Sequence, residues 1–409
     1  MNELQHKSSR GFSLLELLVA SSIGLVVLAA MLSLFKTGMD ATFTVTQRAE
    51  VQQNLRAAIE MMTQDLSHAG SGLPTGGLQL ATNGVSKYAC DQTGTCYTTN
   101  HTYPNNVGTG VPNYMYGILP GFGNGVQGGA VIPTATTARN DSITTVYTDY
   151  NFPLTNFRFY AVTGTQVCVA LTGAVNGGPP LSPAPTVGLP TNILAPGGLN
   201  VGDVLLFYVQ AQGLGGADPN GNSWVQTAAV AAEVTGIGNG GNDPTGNCRG
   251  TTWTLRFAAG DALNMNQTAG ANNLTSAFAA NGTMTVSRLN VVSYYLQVPA
   301  AGGTVQTPRL MRQVNGLSPV PVADNIINLQ FSYDVIDAGS GYLSANLANP
   351  IASGESPSLI QKVNIWLMGE SLTSGGKKSQ SMYLITSVAA RNMSFCNSYS
   401  SSSTACANE

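Results

Sequence analysis

Few residues of this sequence could do chemistry, and most stand in the wrong company for catalysis. The six cysteines are Cys90, Cys96, Cys168, Cys248, Cys396 and Cys406, and none forms a Cys-x-x-Cys pair. With only three histidines in the chain, zinc ligation is not expected. An even cysteine count on an exported chain reads as disulfides, with free buried thiols as the competing reading. Asp218-Pro-Asn220-Gly-Asn222 places oxygen ligands at alternate positions, as a calcium loop does. That loop needs Gly where Ser223 stands and Glu where Ala229 stands, so the segment reads as a plain turn. His68 and His101 lie in no nucleophile motif, and no Gly-x-Ser-x-Gly or phosphate loop occurs. His68, near the end of a predicted helix, reads as a dipole or capping group. The pattern predicts a non-catalytic chain with no metal and no cofactor.

Glu16 is the acid whose place needs a reason. It borders a run from Leu17 to Phe35, 19 residues without a charge and mostly apolar. A helix of that length rises about 28 Å, close to the hydrocarbon thickness of a bilayer. A carboxylate inside such a segment costs at least about 2.5 kcal/mol on insertion scales, so a partner for it is expected. Lys7 and Arg10 precede the run, which keeps residues 1–11 cytoplasmic and sends everything after Lys36 across the membrane. An ordinary secretory signal would be cut after the apolar run, and neither it nor a plain signal anchor accounts for Glu16.

The helical pattern outlasts the apolar run. Between Glu50 and Leu66, the apolar residues Val51, Leu55, Ile59 (or Ala58), Met62 and Leu66 recur at spacings of three and four. Gln53, Arg56, Glu60 and Gln64 take the other face, so this half is amphipathic. No proline interrupts Phe12 to Leu66, and one helix of roughly 80 Å is predicted. Gly24 and Gly38 are its weak points, and Gly70, Gly72 and Pro74 end it.

Beyond the helix the composition changes. Charged residues make up 9% of the chain, against roughly 25% in a typical soluble domain, and glycine is abundant at 47 residues. The net charge of −3 gives no reason to expect nucleic acid, which needs a basic face. A Gly-, Thr- and Asn-rich region spans 71–140. Strand-like runs rich in Val, Ile, Tyr, Phe and Thr follow at 142–147, 157–162, 203–210, 253–257, 284–298, 309–313, 326–333, 363–368 and 382–390. Gly177–Pro180 and Gly236–Gly241 read as loops. The expected fold class is α+β: a long N-terminal helix packed on an antiparallel β-rich head.

Arg10-Gly11-Phe12-Ser13-Leu14-Leu15-Glu16 resembles the type III signal of type IV prepilins and type II secretion pseudopilins. The resemblance implies cleavage between Gly11 and Phe12 by a prepilin peptidase, and N-methylation of Phe12. It also gives Glu16 a role in assembly, pairing with the Phe12 ammonium of a neighbouring subunit. The expected organisation is a leader over 1–11, a membrane segment over 12–36, an amphipathic half-helix over 37–66 and an extracytoplasmic head over 67–409.

A second resemblance narrows the expectation. Gln53 to Gly70, Arg139 to Val146, Gly202 to Phe207, Val291 to Leu296, Leu310 to Gln313, Asp324 to Tyr333, Val363 to Met368 and Ala390 to Asn392 look like minor pilins of the PilW type. The departure is a longer, glycine-rich stretch between about 150 and 285. This implies a minor pilin that primes or caps a type IV pilus, held in the inner membrane with a periplasmic head before it reaches the cell surface. Its partners would be other minor pilins, the major pilin, the peptidase and the inner-membrane assembly machinery. A minor pseudopilin of type II secretion or an anchored surface adhesin are the alternatives. Spacing pairs Cys90 with Cys96 and Cys396 with Cys406, leaving Cys168 for Cys248 by elimination.

Overall fold

The computed structural model describes residues 12–74, 77–80, 114–123, 140–152, 154, 157–163, 165–170, 192–217, 223–239, 253–267, 274, 282–297, 308–336, 342–350, 357–371 and 379–393. It is an α+β protein: one long helix followed by antiparallel sheets. The leader 1–11, His101, Gly177–Pro180, Asp218–Asn222 and all cysteines except Cys168 lie outside the described residues.

Helix α1 spans Leu14–Ser67, 54 residues, and runs unbroken through Gly24 and Gly38. Fifty-four residues rise about 80 Å. His68 caps its C-terminus, and Gly70 and Gly72 follow with φ of 78° and 72°, a conformation that costs glycine little. From Phe12 to Phe35 the apolar side chains are exposed on every side of the helix. Burial begins at Val51 and follows Leu55, Ala58, Met62 and Leu66, the predicted stripe, with Ile59 packed beside it. Each of the larger side chains contributes about 1.5–3 kcal/mol on leaving water.

The strands come in chain order. They are β1 (Leu78–Gln79), β2 (Tyr114–Met115), β3 (Ile118–Gly121), β4 (Ser142–Asp149), β5 (Arg158–Thr163) and β6 (Gln166–Ala170). Then come β7 (Val204–Ala217), β8 (Ser223–Glu233), β9 (Gly236–Asn239), β10 (Trp253–Arg256), β11 (Gly282–Gln297) and β12 (Arg309–Val314). The last are β13 (Val320–Asp324), β14 (Ile326–Ile336), β15 (Leu343–Leu347), β16 (Ile360–Glu370) and β17 (Ser381–Ala389).

The helix stripe rests on the sheet β15-β14-β16-β17. Val363, Ile365 and Leu367 of β16 point into that core, and Gly369 lets the helix come close. A Cβ on Gly369 would stand 3.0 Å from Val51 Cγ1. A second sheet is organised by β11, which pairs with β4 along one edge and with β7 and then β12 along the other. Asn315 fills the gap between β7 and β12. Its side chain accepts the Val291 N–H at 2.8 Å and donates to the Leu289 carbonyl at 3.1 Å.

Strands β4 and β11 are neighbours, so the chain between them, 150–281, is an insertion in the sheet order. Among its described residues it carries the sheet β5-β6-β10-β9, and the core around Phe157, Phe159, Val169 and Phe257 is shared with Phe207 of β7 and Val286 of β11. The glycine-rich stretch that looks less patterned in sequence thus holds six strands, β5 to β10, among its described residues. The start of the expected loop at 236–241 is corrected too: Gly236–Asn239 forms edge strand β9 against β10. Ladder hydrogen bonds are made by main chain, so an edge strand can do without side chains to pack.

Candidate assembly site on the N-terminal helix

The helix start presents Phe12 and Glu16 on open surface, with Phe12 84% exposed. Glu16 lies in the first turn, where the unpaired N–H groups make the helix end partly positive. One oxygen, Oε2, accepts the Ser13 N–H at 3.3 Å. Gly11, the residue expected before the cut, lies outside the described residues.

Among the described residues one helix is long and apolar enough to cross a membrane. Three hydroxyls on or beside its apolar run bond within the helix. The hydroxyls of Ser21, Ser22 and Thr37 donate to the carbonyls of Leu18, Val19 and Ser33 at 3.0, 2.8 and 2.9 Å. In hydrocarbon an unpaired hydroxyl would be costly, and these are not left unpaired.

The other end of the helix is fastened to the head by Asp65, which is buried. Arg312 of β12 donates through Nε to Asp65 Oδ2 at 2.7 Å and through Nη2 to Oδ1 at 3.1 Å. Tyr147 of β4 donates to Oδ1 at 2.8 Å, and the Tyr294 hydroxyl of β11 donates to Oδ2. Three strands thus converge on one helical carboxylate. Burial, reinforced by the charge of Asp65, pushes both tyrosine hydroxyls well above their ordinary range. The Arg312 guanidinium is held protonated by Asp65 against the pull of burial.

Main-chain bonds continue the attachment. The Gly70 N–H donates to the Val146 carbonyl at 2.9 Å and the Thr148 N–H to Ser71 at 2.8 Å, so the helix exit runs along the edge of β4. A Cβ on Gly117 would lie 2.4 Å from the Gly70 nitrogen, so this crossing requires glycine. Further up, Arg48 Nη2 donates to Gln380 Oε1 at 2.8 Å.

Asp65 does not stand out in the sequence as a site. Yet it lies three residues after Met62 and seven after Ala58, on the apolar stripe itself, and an acid there needs cationic or hydroxyl partners. His68 is the C-cap, with Nδ1 3.0 Å from the Gln64 carbonyl oxygen, as a capping role requires. Cys168 is buried in β6 and disulfide-bonded, with its partner outside the described residues.

Residues 6–32 match the family model described as the prokaryotic N-terminal methylation motif. No curated protein and no solved structure matches the chain. The motif covers the helix start and most of the apolar run, including Gly11, Phe12 and Glu16, and supports a pilin-like, structural and non-enzymatic protein anchored in a membrane by its N-terminal helix.

Proposed function

We propose that this chain is a minor pilin that primes or caps a type IV pilus and polymerises through its N-terminal helix. The observation that carries the reading is the match to the methylation motif on a helix whose apolar half packs against nothing among the described residues. Such a surface is stable in lipid and, outside lipid, only against other helices. Subunits would leave the bilayer by exchanging lipid contacts for contacts with neighbouring helices. Prepilin peptidase would cut between Gly11 and Phe12 and methylate Phe12. Glu16 would then pair with the Phe12 ammonium of a neighbour. Among the described residues it makes one long bond, to Ser13 at 3.3 Å, which leaves acceptor capacity for that exchange.

The size of the head favours a tip over a repeating shaft position. The sheet β5-β6-β10-β9 adds bulk beyond the helix and the sheet it rests on, and bulk is hard to repeat along a shaft. Cross-linking and mass spectrometry of sheared filaments test the reading. The expected result is this chain cross-linked to other pilins at substoichiometric level, and its absence from filaments would overturn it.

A further inference from the structure

Strand β17 closes one edge of the sheet β15-β14-β16-β17, and among the described residues nothing pairs with its other side. It reads Ser-Met-Tyr-Leu-Ile-Thr-Ser-Val-Ala, nine residues with no charge and no proline. Its register with β16 is unbroken. Edge strands are ordinarily protected by charge, proline or a bulge, because open N–H and C=O groups invite another strand. The edge strands β3 and β13 carry Pro120 and Pro321, and β15 meets β14 with a break in register. Strand β17 has none of these.

The Ser371 N–H donates to the Gln380 carbonyl at 2.9 Å, and the Ala390 N–H donates to the Gln361 carbonyl at 2.8 Å. Every second residue between 380 and 390 therefore bonds towards β16, and antiparallel alternation turns the N–H and C=O of Tyr383, Ile385 and Ser387 to the open edge. Met382 and Leu384 pack on the core under the helix. Tyr383 and Ile385 point to the opposite face, 66% and 62% exposed, with Ile385 opposite Trp366 of β16.

We propose that the open edge of β17 takes an uncharged β-strand from the head of a neighbouring pilin-like subunit, which extends the sheet across the boundary between the two. This rests on the reading of the chain as a tip subunit. Direction selects the partner. Arg48 bonds Gln380 just before β17, and a Cβ on Gly70 would stand 2.8 Å from Met393 Cγ just after it, so β17 runs the same way as the helix. A second β17 pairing antiparallel would turn its own helix end for end, which subunits anchored in one membrane cannot do. An antiparallel partner strand therefore runs towards the membrane, and at a tip it belongs to a different pilin-like chain. An edge without charge offers a charged strand no ion partner, so an uncharged strand fits it best. Main-chain bonds supply the attraction, and the surface of Tyr383 and Ile385 selects the side chains beside them.

A photo-cross-linking residue, p-benzoylphenylalanine, placed at Ser387 of the full chain and irradiated in membranes and in sheared filaments, tests this. Mass spectrometry should place the link on a strand in the head of another chain that carries its own N-terminal methylation motif. In the same background, Ile385→Lys puts a charge on the exposed edge; it should keep the wild-type thermal unfolding and lower the yield of the link at least about tenfold. Should that variant unfold earlier, Tyr383→Lys should give the same loss. A link to a second copy of this chain, to its own residues 394–409 or to a protein without the motif overturns the proposal. So does an unchanged yield in the lysine variant. No link from a chain that is present in filaments overturns this proposal and leaves the minor-pilin reading standing, whereas absence of the chain from filaments overturns both.

Discussion

Asp65 and Arg312 lie 247 residues apart in sequence, yet Arg312 Nε donates to Asp65 Oδ2 across 2.7 Å. This pair, with Tyr147 and Tyr294, is the polar joint between the helix and the head. Load on the helix reaches the sheet through it, through the apolar stripe, and through the bonds of Arg48, Gly70 and Ser71 to the head.

Replacing Asp65 by Asn removes the charge that Arg312 and both tyrosines address, and leaves a guanidinium 24% exposed without its counter-ion. The expected loss is about 2–3 kcal/mol, discounted for that partial exposure. Denaturant unfolding of the detergent-solubilised protein measures it. Because the partners act as one unit, Asp65→Asn with Arg312→Met should cost less than the two single changes together. An additive double variant would mean that the joint contributes no coupling.

The same joint sets an alkaline limit. The Tyr147 and Tyr294 hydroxyls have folded values raised above the ordinary 10.0, so the folded state holds these protons where the unfolded chain releases them. Stability from this source is present below about pH 10 and falls as pH rises beyond it. Tyr294→Phe should be less stable at neutral pH yet lose less between about pH 9 and 11. Parallel pH–stability curves for the two proteins would count against the assignment.

Non-reducing peptide mapping should recover Cys90 with Cys96, Cys396 with Cys406, and Cys168 with Cys248. Closing a loop of about ten residues should stabilise the fold by roughly 2–3 kcal/mol, mainly by restricting the unfolded chain. Recovery of Cys168 linked to any other cysteine would contradict the pairing.

The helix was legible because one periodicity covers it: an uncharged run, then a stripe from Val51 to Leu66 with nothing competing. The strands β4, β11, β14, β16 and β17 announce themselves by β-branched and aromatic side chains. Strand β8, Ser-Trp-Val-Gln-Thr-Ala-Ala-Val-Ala-Ala-Glu, does not, since alanine carries no strand preference. It is a strand because β7 pairs with it along its length. Strand β13 carries Pro321, which reads against a strand and is tolerated at the sheet edge. The Asp65 joint was hidden for a related reason. It depends on Tyr147, Tyr294 and Arg312, which only the completed sheet brings together, and no local spacing encodes that.

Glu16→Val removes the acid from the apolar helix, so membrane levels should hold or rise, and processing at Gly11 should persist because the leader is untouched. Incorporation should fall. The readout is the ratio of this chain in sheared filaments to that in membranes, and the variant's ratio should drop at least about tenfold, a loss of about 1.4 kcal/mol or more at the contact. An unchanged ratio would leave Glu16 without a part in assembly.

The account turns on what becomes of the N-terminus, and the intact mass of the membrane-extracted chain reads that directly. The predicted mass lacks residues 1–11 and carries one methyl group on Phe12. A mature chain beginning anywhere after Phe35 would mean an ordinary signal peptide, a lost membrane helix and no route into a filament.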